Sequence, residues 1–406
     1  MTTVRTAPAT TALRWFACLT VALAPVEGYL THLHPHLAKV APALLVVAWA
    51  AVRVRQRQAP QLHAAHALLA LLTVLLLAST AAHTGGTFTA EYLLRWLPFV
   101  ALTVVLIDVA ATEVPIRALL VAAVAGATVA AAGALYSLLA TGAARATGPL
   151  DDPNDLAVAL VMAVPLLVAV PRAGSRPAPG VHALAVLAAT LLVAGAAATF
   201  SRGGALALAA AVIWLLVRRV LLVRVLAGIL AGTAVVVAVA AQFAAAELSR
   251  SLREKTFIAE SNVDTRELRW QAAARMLAEH PMLGVGPGGF RGEYAAASGN
   301  AELAEQTPVA HNMFLEVAAE LGLPAFCAFA GLAAVALVAA ERVLRTGRDR
   351  AVMVAVQAAL LAVALGATFL SEQYYLPLWL LTALAVAAEL RGRREGNGSA
   401  RTAHDQ

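Results

Sequence analysis

About a dozen apolar runs, each long enough to cross a bilayer, leave this 406-residue chain few ways to fold. A helix spanning the hydrocarbon core needs roughly 17–25 apolar residues, and within lipid the backbone must satisfy its own hydrogen bonds. Such runs fall near residues 12–31, 36–52, 63–83, 93–110, 115–140, 155–171, 180–200, 203–218, 220–242, 311–341, 351–370 and 374–390. With 61% hydrophobic and 13% charged residues and a mean hydropathy of +0.76, a soluble domain is excluded. The expected fold is all-α, a polytopic transmembrane bundle of about twelve spans. It divides into an N-terminal bundle of about nine spans over 1–242, a polar loop over 243–310 carrying short amphipathic helices, C-terminal transmembrane helices over 311–391, and a Gly/Ser-containing tail over 392–406 expected to be disordered.

Basic residues orient the bundle, because Lys and Arg in tails and short loops stay on the cytoplasmic side of a plasma membrane. With both termini inside, that side collects nineteen arginines, from Arg5 to Arg401, while the opposite short loops hold only Lys39, Arg95, Arg145 and Arg202. The 68-residue polar stretch from Phe243 to Ala310 is therefore expected outside the cytoplasm. Topology accounts for the net charge of +6, so no nucleic-acid partner is implied. Cys18 and Cys327 fall within apolar runs and read as small core residues.

Four polar constellations then share the outer side. Asp151-Asp152-Pro153-Asn154-Asp155 reads as a helix start, with Asp152 as N-cap and Pro153 in the first turn. Its carboxylates lack the alternating ligands of a calcium loop, so no metal is expected there. Phe200-Ser201-Arg202-Gly203-Gly204 begins another helix. There Arg202 either snorkels to headgroups or meets an anion beside free N–H groups. Within the loop, Asp264 and Glu267 have capping-box spacing, and Leu268, Ala272 and Met276 make one apolar stripe of a helix ending near Pro281. Arg266, Arg269 and Arg275 form its solvated side or part of a site. Gly284-Val285-Gly286-Pro287-Gly288-Gly289-Phe290 lacks the Gly-Lys-Ser/Thr of a P-loop and reads as a turn with exposed backbone. Finally, His311-Asn312 precedes Glu316 and Glu320. His311 is a structural residue or a base kept neutral by the helix dipole; the glutamates bind sugar hydroxyls or pair with arginine.

In order, Gly148…Asp152-Pro153-Asn154-Asp155-Leu156-Ala157, Ser201-Arg202-Gly203-Gly204, Arg266…Trp270…His280-Pro281…Gly284-Val285-Gly286…Tyr294…His311-Asn312…Glu320-Leu321-Gly322-Leu323 resembles the O-antigen ligase and polymerase family over roughly residues 145–325. The resemblance implies a GT-C-like membrane glycosyltransferase taking a glycan from a polyprenyl (undecaprenyl) diphosphate lipid, with neither cofactor nor metal. The acceptor is a glycan, a lipid or a protein, and membrane lipids are the surrounding partners. It also implies Arg202 and Arg266 on the diphosphate, with Arg269 as an added neighbour, and His311 as the catalytic base. Asp152, Asn154, Glu316 and Glu320 are candidate contacts to acceptor or sugar. The chain departs from the commoner family form at Asp151-Asp152-Pro153, where Gly or Asn often precedes the Pro-Asn pair.

The residue types suit that chemistry. A leaving diphosphate is best held by planar, permanently charged guanidinium groups. A sugar hydroxyl is a poor nucleophile and gains about 10²–10⁴-fold from a positioned base. Leaving group and base on opposite faces would invert the anomeric centre. A repeat-unit polymerase of the same family is an alternative; from another class, a lipid or small-molecule transporter or flippase would instead place its polar groups around a midplane cavity. A cavity capped by 243–310 would favour the enzyme.

Overall fold

The computed structural model describes residues 8–141, 145–172, 179–243, 265–302 and 307–404, and among these the regular structure is helical. Helices α1 (Pro8–Leu23), α2 (Glu27–Leu33), α3 (Leu37–Gln56), α4 (Ala64–Ala82), α5 (Thr89–Thr112) and α6 (Ile116–Thr141) are followed by α7 (Pro153–Leu166), α8 (Pro179–Ala198), α9 (Arg202–Val217) and α10 (Val223–Phe243). The loop contributes α11 (265–279) and α12 (Gly289–Ala297). Then come α13 (Met313–Arg345), α14 (Arg350–Gly366) and α15 (Leu376–His404).

Every apolar run expected to span coincides with one of these helices. Among the described residues, eight helical segments are long and apolar enough to cross a membrane, and three more apolar stretches, Arg202–Val217, Val223–Val239 and Arg350–Gly366, are shorter. Length and composition thus give eight candidate spans where twelve were expected.

α7, α14 and the first half of α15 are apolar nearly all round and form the centre, as such helices must. α7 packs on α8, α9 and α14; α15 packs on α5 and α13; α13 packs on α4. Outward sides of α3, α4, α9 and α10 expose Val47, Val74, Ile213 and Val235, the side chains a lipid-facing surface carries. Small residues allow close helix approach: a Cβ on Gly126 of α6 would meet the Ala22 carbonyl of α1.

Three expectations need correcting. α15 continues to His404, so helix occupies the segment expected to be disordered. Its polar part starts with the i,i+4 pair Glu389–Arg393 and is tied to α14's start by Arg348–Glu395. Cys327 is exposed on the bundle's outer surface, not in the core, whereas Cys18 is half-buried.

The third concerns the glycine-rich turn, which is buried and joined to α13. α13 is broken at Gly322, whose φ of 79° and ψ of 170° are not helical. The 281–286 backbone fills the break: Val285 and Gly286 N–H groups donate to the Ala319 and Glu320 carbonyls (3.0 and 2.9 Å), and Leu323 N–H donates to the Pro281 carbonyl (2.8 Å). Ser79 of α4 donates to the Leu283 carbonyl. Buried backbone groups must be paired, and here loop and helix pair each other's. Gly284 (φ 64°) and Gly322 permit the approach, since Cβ atoms there would lie 2.3 Å from Glu320 and 2.5 Å from Met282 backbone atoms.

Candidate functional site

The helix starts read from the sequence stand at one end of the bundle. Asp152 is the N-cap of α7 and accepts from the Asn154 N–H (2.6 Å); Ser201 is the N-cap of α9 and accepts from the Gly204 N–H (3.2 Å); Asn312 caps α13. Asp264, the expected cap of α11, lies outside the described residues. Ala272 and Met276 of the anticipated stripe are buried with Phe290, Tyr294, Ala310 and Ala319 in a small core between the loop and α13, and Leu268 is half-buried.

A residue without an assigned role organises the cluster. Arg145 Nε donates to the Thr199 carbonyl and its Nη2 to Asn154 Oδ1, both at 2.9 Å, tying the start of α7 to the turn before Arg202. Burial lowers the pKa of Arg145; Asp152 acts against that, and Arg266 adds repulsion. Arg266 is lowered by burial as well, again opposed by Asp152, with Arg269 as its like-charged neighbour. Guanidinium stays protonated regardless, so Arg145 and Arg266 are two cations gathered at one carboxylate. Arg202, the first residue of α9, is exposed, and neither it nor Arg266 makes a hydrogen bond or ion pair with a described residue. Two guanidinium groups are thus available at this end.

Arg269 is differently placed. It is 5% exposed, meets Glu302 through Nε and Nη2 (3.1 and 3.2 Å), and its guanidinium stands 5.9 Å from the Tyr294 ring centre. Burial pushes the Tyr294 phenol up to about 12, and its hydrogen bond to Glu302 pushes the same way. Burial also raises Glu302, but bonds from Arg269 and Tyr294 outweigh it and leave the carboxyl below its ordinary range.

His311 sits one residue before the α13 cap, not in the first turn, with φ 49°, a conformation uncommon for a residue with a side chain. Two clamps hold the preceding residues. From α11, Arg269 Nη1 donates to the Val309 carbonyl (3.4 Å) and Trp270 Nε1 to the Ala310 carbonyl (3.1 Å). From α13, Glu316 Oε2 accepts from the Ala310 N–H (2.8 Å) and Ser371 (2.5 Å), while Oε1 accepts from Gln373 (2.7 Å). His311 lies close enough to Glu302 to interact electrostatically.

Glu316 is 2% exposed and its oxygens are engaged in this clamp; Glu320, 1% exposed, faces the Gly288 and Phe290 N–H groups at the start of α12. Both glutamates therefore serve the backbone around the loop. Beyond the Asp152 cap, Asp155 accepts from Tyr375 (2.9 Å) and borders a cavity of about 590 Å³ with Glu27 and Glu372. Its walls are mostly apolar and come from α1, α3, α5, α7 and the start of α15; none of residues 265–302 lines it. The first turn of α7 thus stands between Arg145 and Arg266 on one side and, on the other, a cavity whose lining holds Glu27, Asp155 and Glu372 together with Lys39 and Arg95.

Apolar helices of spanning length, with polar groups gathered at the bundle's ends and a loop spliced into a broken helix, define a multi-pass membrane protein. Residues 184–330 match the family model described as O-Antigen ligase. The segment carries that family's signature and contains Arg202, Arg266, Arg269, His311, Glu316 and Glu320; Arg145, Asp152 and Asn154 precede it. The comparison with curated proteins yields no match. Sequence reasoning passed over Arg145, although it is one of only four basic residues in the short loops of its side. It also passed over Glu302, Ser371 and Gln373, whose roles depend on contacts 33 to 57 residues along the chain.

Proposed function

We propose that this chain transfers a glycan from a polyprenyl diphosphate lipid to an acceptor hydroxyl, by metal-independent displacement with inversion, at the end of the bundle where the loop lies. Membership of the O-antigen ligase family over 184–330 supports glycan transfer in a membrane. The observation that carries the finer reading is the Arg266 guanidinium, free of hydrogen bonds and ion pairs with described residues beside Arg145 and Asp152, with Arg202 exposed at the first residue of α9. As the glycosyl bond breaks, charge grows on the departing diphosphate, and preorganised donors in a partly dry site stabilise that charge most.

His311 then takes the proton from the attacking hydroxyl as its oxygen bonds to the anomeric carbon. The electron pair of the breaking bond leaves with the diphosphate. Arg269 acts as a positioning residue, since it joins the helix bearing Arg266 to Val309, two residues before His311. Glu316 positions the same backbone from the other side. The mostly apolar cavity beside Asp155 suits the first isoprene units of the donor. Asp152 and Asn154 keep Arg145 in place and present their remaining lone pairs to sugar hydroxyls.

The test is incubation of the purified full-length protein with a polyprenyl diphosphate-linked oligosaccharide and candidate hydroxyl acceptors, with and without chelator. Transfer that survives the chelator and releases polyprenyl diphosphate is expected. Movement of the intact donor across a vesicle bilayer without transfer would replace this proposal with a flippase.

A further inference from the structure

A second cavity, about 770 Å³, lies at the opposite end, between the start of α6, the turn joining α13 to α14 and the second half of α15. Five arginines line it, Arg117, Arg342, Arg348, Arg391 and Arg393, against three carboxylates, Asp349, Glu389 and Glu395. We propose that it binds a phosphate group, borne either by an anionic phospholipid headgroup or by a soluble phosphate compound.

The carboxylates do not neutralise the pocket. Glu389 accepts from Arg342 (3.1 Å) and Arg393 (2.6 Å) and also meets His63; Arg348 pairs with Glu395. Only Asp349 remains, and it stands 3.5 Å from Arg117 Nη2. Arg117 Nη1 is buried with no hydrogen-bond partner among the described residues. Among those residues Arg391 has no carboxylate in bonding contact, although Glu395 and Asp349 are near enough to act on it; its Nε and Nη2 donate to the Ala110 and Val114 carbonyls at 2.5 and 2.6 Å. Carbonyl bonds fix a guanidinium in place without cancelling its charge. Two cations are thus held over a cavity, one with a donor lacking an acceptor, and a buried unmatched donor of this kind is costly until a ligand fills it.

Phosphate fits because its oxygens accept several charge-assisted bonds at once and guanidinium matches them in pairs. Ile116, Val343, Val352 and Met353 give the same cavity an apolar wall, which suits acyl chains. Basic pockets between transmembrane helices bind lipid headgroups in this way. The site is remote from the Arg145 and His311 cluster and does not rest on the transfer reaction.

The test uses full-length protein, purified in detergent and stripped of lipid. Native mass spectrometry with phosphatidylglycerol or phosphatidylcholine, and thermal unfolding with inorganic phosphate, form the two arms. Preferential retention of one phosphatidylglycerol is expected, weakened at least tenfold in Arg117→Gln and Arg391→Gln. It should be unchanged in Arg55→Gln/Arg57→Gln, exposed residues at the same end. Arg117→Gln disturbs little besides the long contact with Asp349, so it remains informative if Arg391→Gln misfolds. A rise in unfolding temperature with inorganic phosphate, absent in Arg117→Gln and without lipid preference, would assign the soluble source. Equal retention of both lipids together with no response to phosphate, or undiminished binding in Arg117→Gln, would overturn the proposal.

Discussion

Lysine keeps the charge of arginine but not its planar fork, and that difference separates two roles for Arg202 and Arg266. If each grips a diphosphate, Arg202→Lys and Arg266→Lys should each lower transfer by at least about tenfold, whereas residues that only snorkel should tolerate the change. Initial rates on a lipid-linked donor decide between these outcomes. His311→Ala should lower turnover by about 10²-fold with donor binding nearly unchanged, because a base acts in the transition state. Turnover within threefold of wild type at saturating acceptor would leave His311 a structural residue. Glu302 allows a further test at the same scale. Its folded pKa is depressed, so its bonds to Arg269 and Tyr294 contribute fully above the ordinary carboxyl value, about 4.3, and the contribution is lost as pH falls through the lower folded value. Hydrogen exchange across 265–302 should therefore accelerate on acidification in wild type, and Glu302→Gln should show faster exchange already at neutral pH and a flatter profile.

At the scale of elements, the break in α13 is the feature to challenge. An alanine at Gly322 brings a Cβ within 2.5 Å of the Met282 backbone at positive φ, and strain of about 1–3 kcal/mol from the dihedral alone should lower the unfolding temperature. Gly85→Ala, where a Cβ would meet nothing, is the control. The same comparison explains what a linear reading reached. The Asp152 cap and the helix start at Ser201-Arg202 were visible because such signals are decided within four residues. The break was not, because Gly322 is followed closely by Pro324 in an apolar run that still reads as one span. Only the arrival of 281–286 from 36 to 41 residues upstream makes opening the helix favourable. Arg145 escaped notice for the same reason: its partners Asn154 and Thr199 come together only when α7, α8 and α9 pack.

Over the whole molecule, the two ends differ in kind. One gathers the helix caps and the loop, and the other carries the arginine pocket and the pairs around Arg53, Arg218 and Glu389. From the asymmetry of basic residues we propose that the loop end lies outside the cytoplasm. In a background of Cys18→Ala and Cys327→Ala, a cysteine at Ser298 should react with an impermeant thiol reagent in intact cells and one at Gln58 only after lysis. The reverse pattern would invert the topology and remove the basis for the proposed reaction. The splice at Gly322 also bears on how such proteins diversify. Because the loop's backbone completes α13, an exchange of loops between relatives that rejoins the chain at residue 310 would separate hydrogen-bonded partners, whereas a graft extending past Leu323 would carry both halves of the joint. Chimaeras that keep this joint intact should therefore exchange the loop together with the first half of α13.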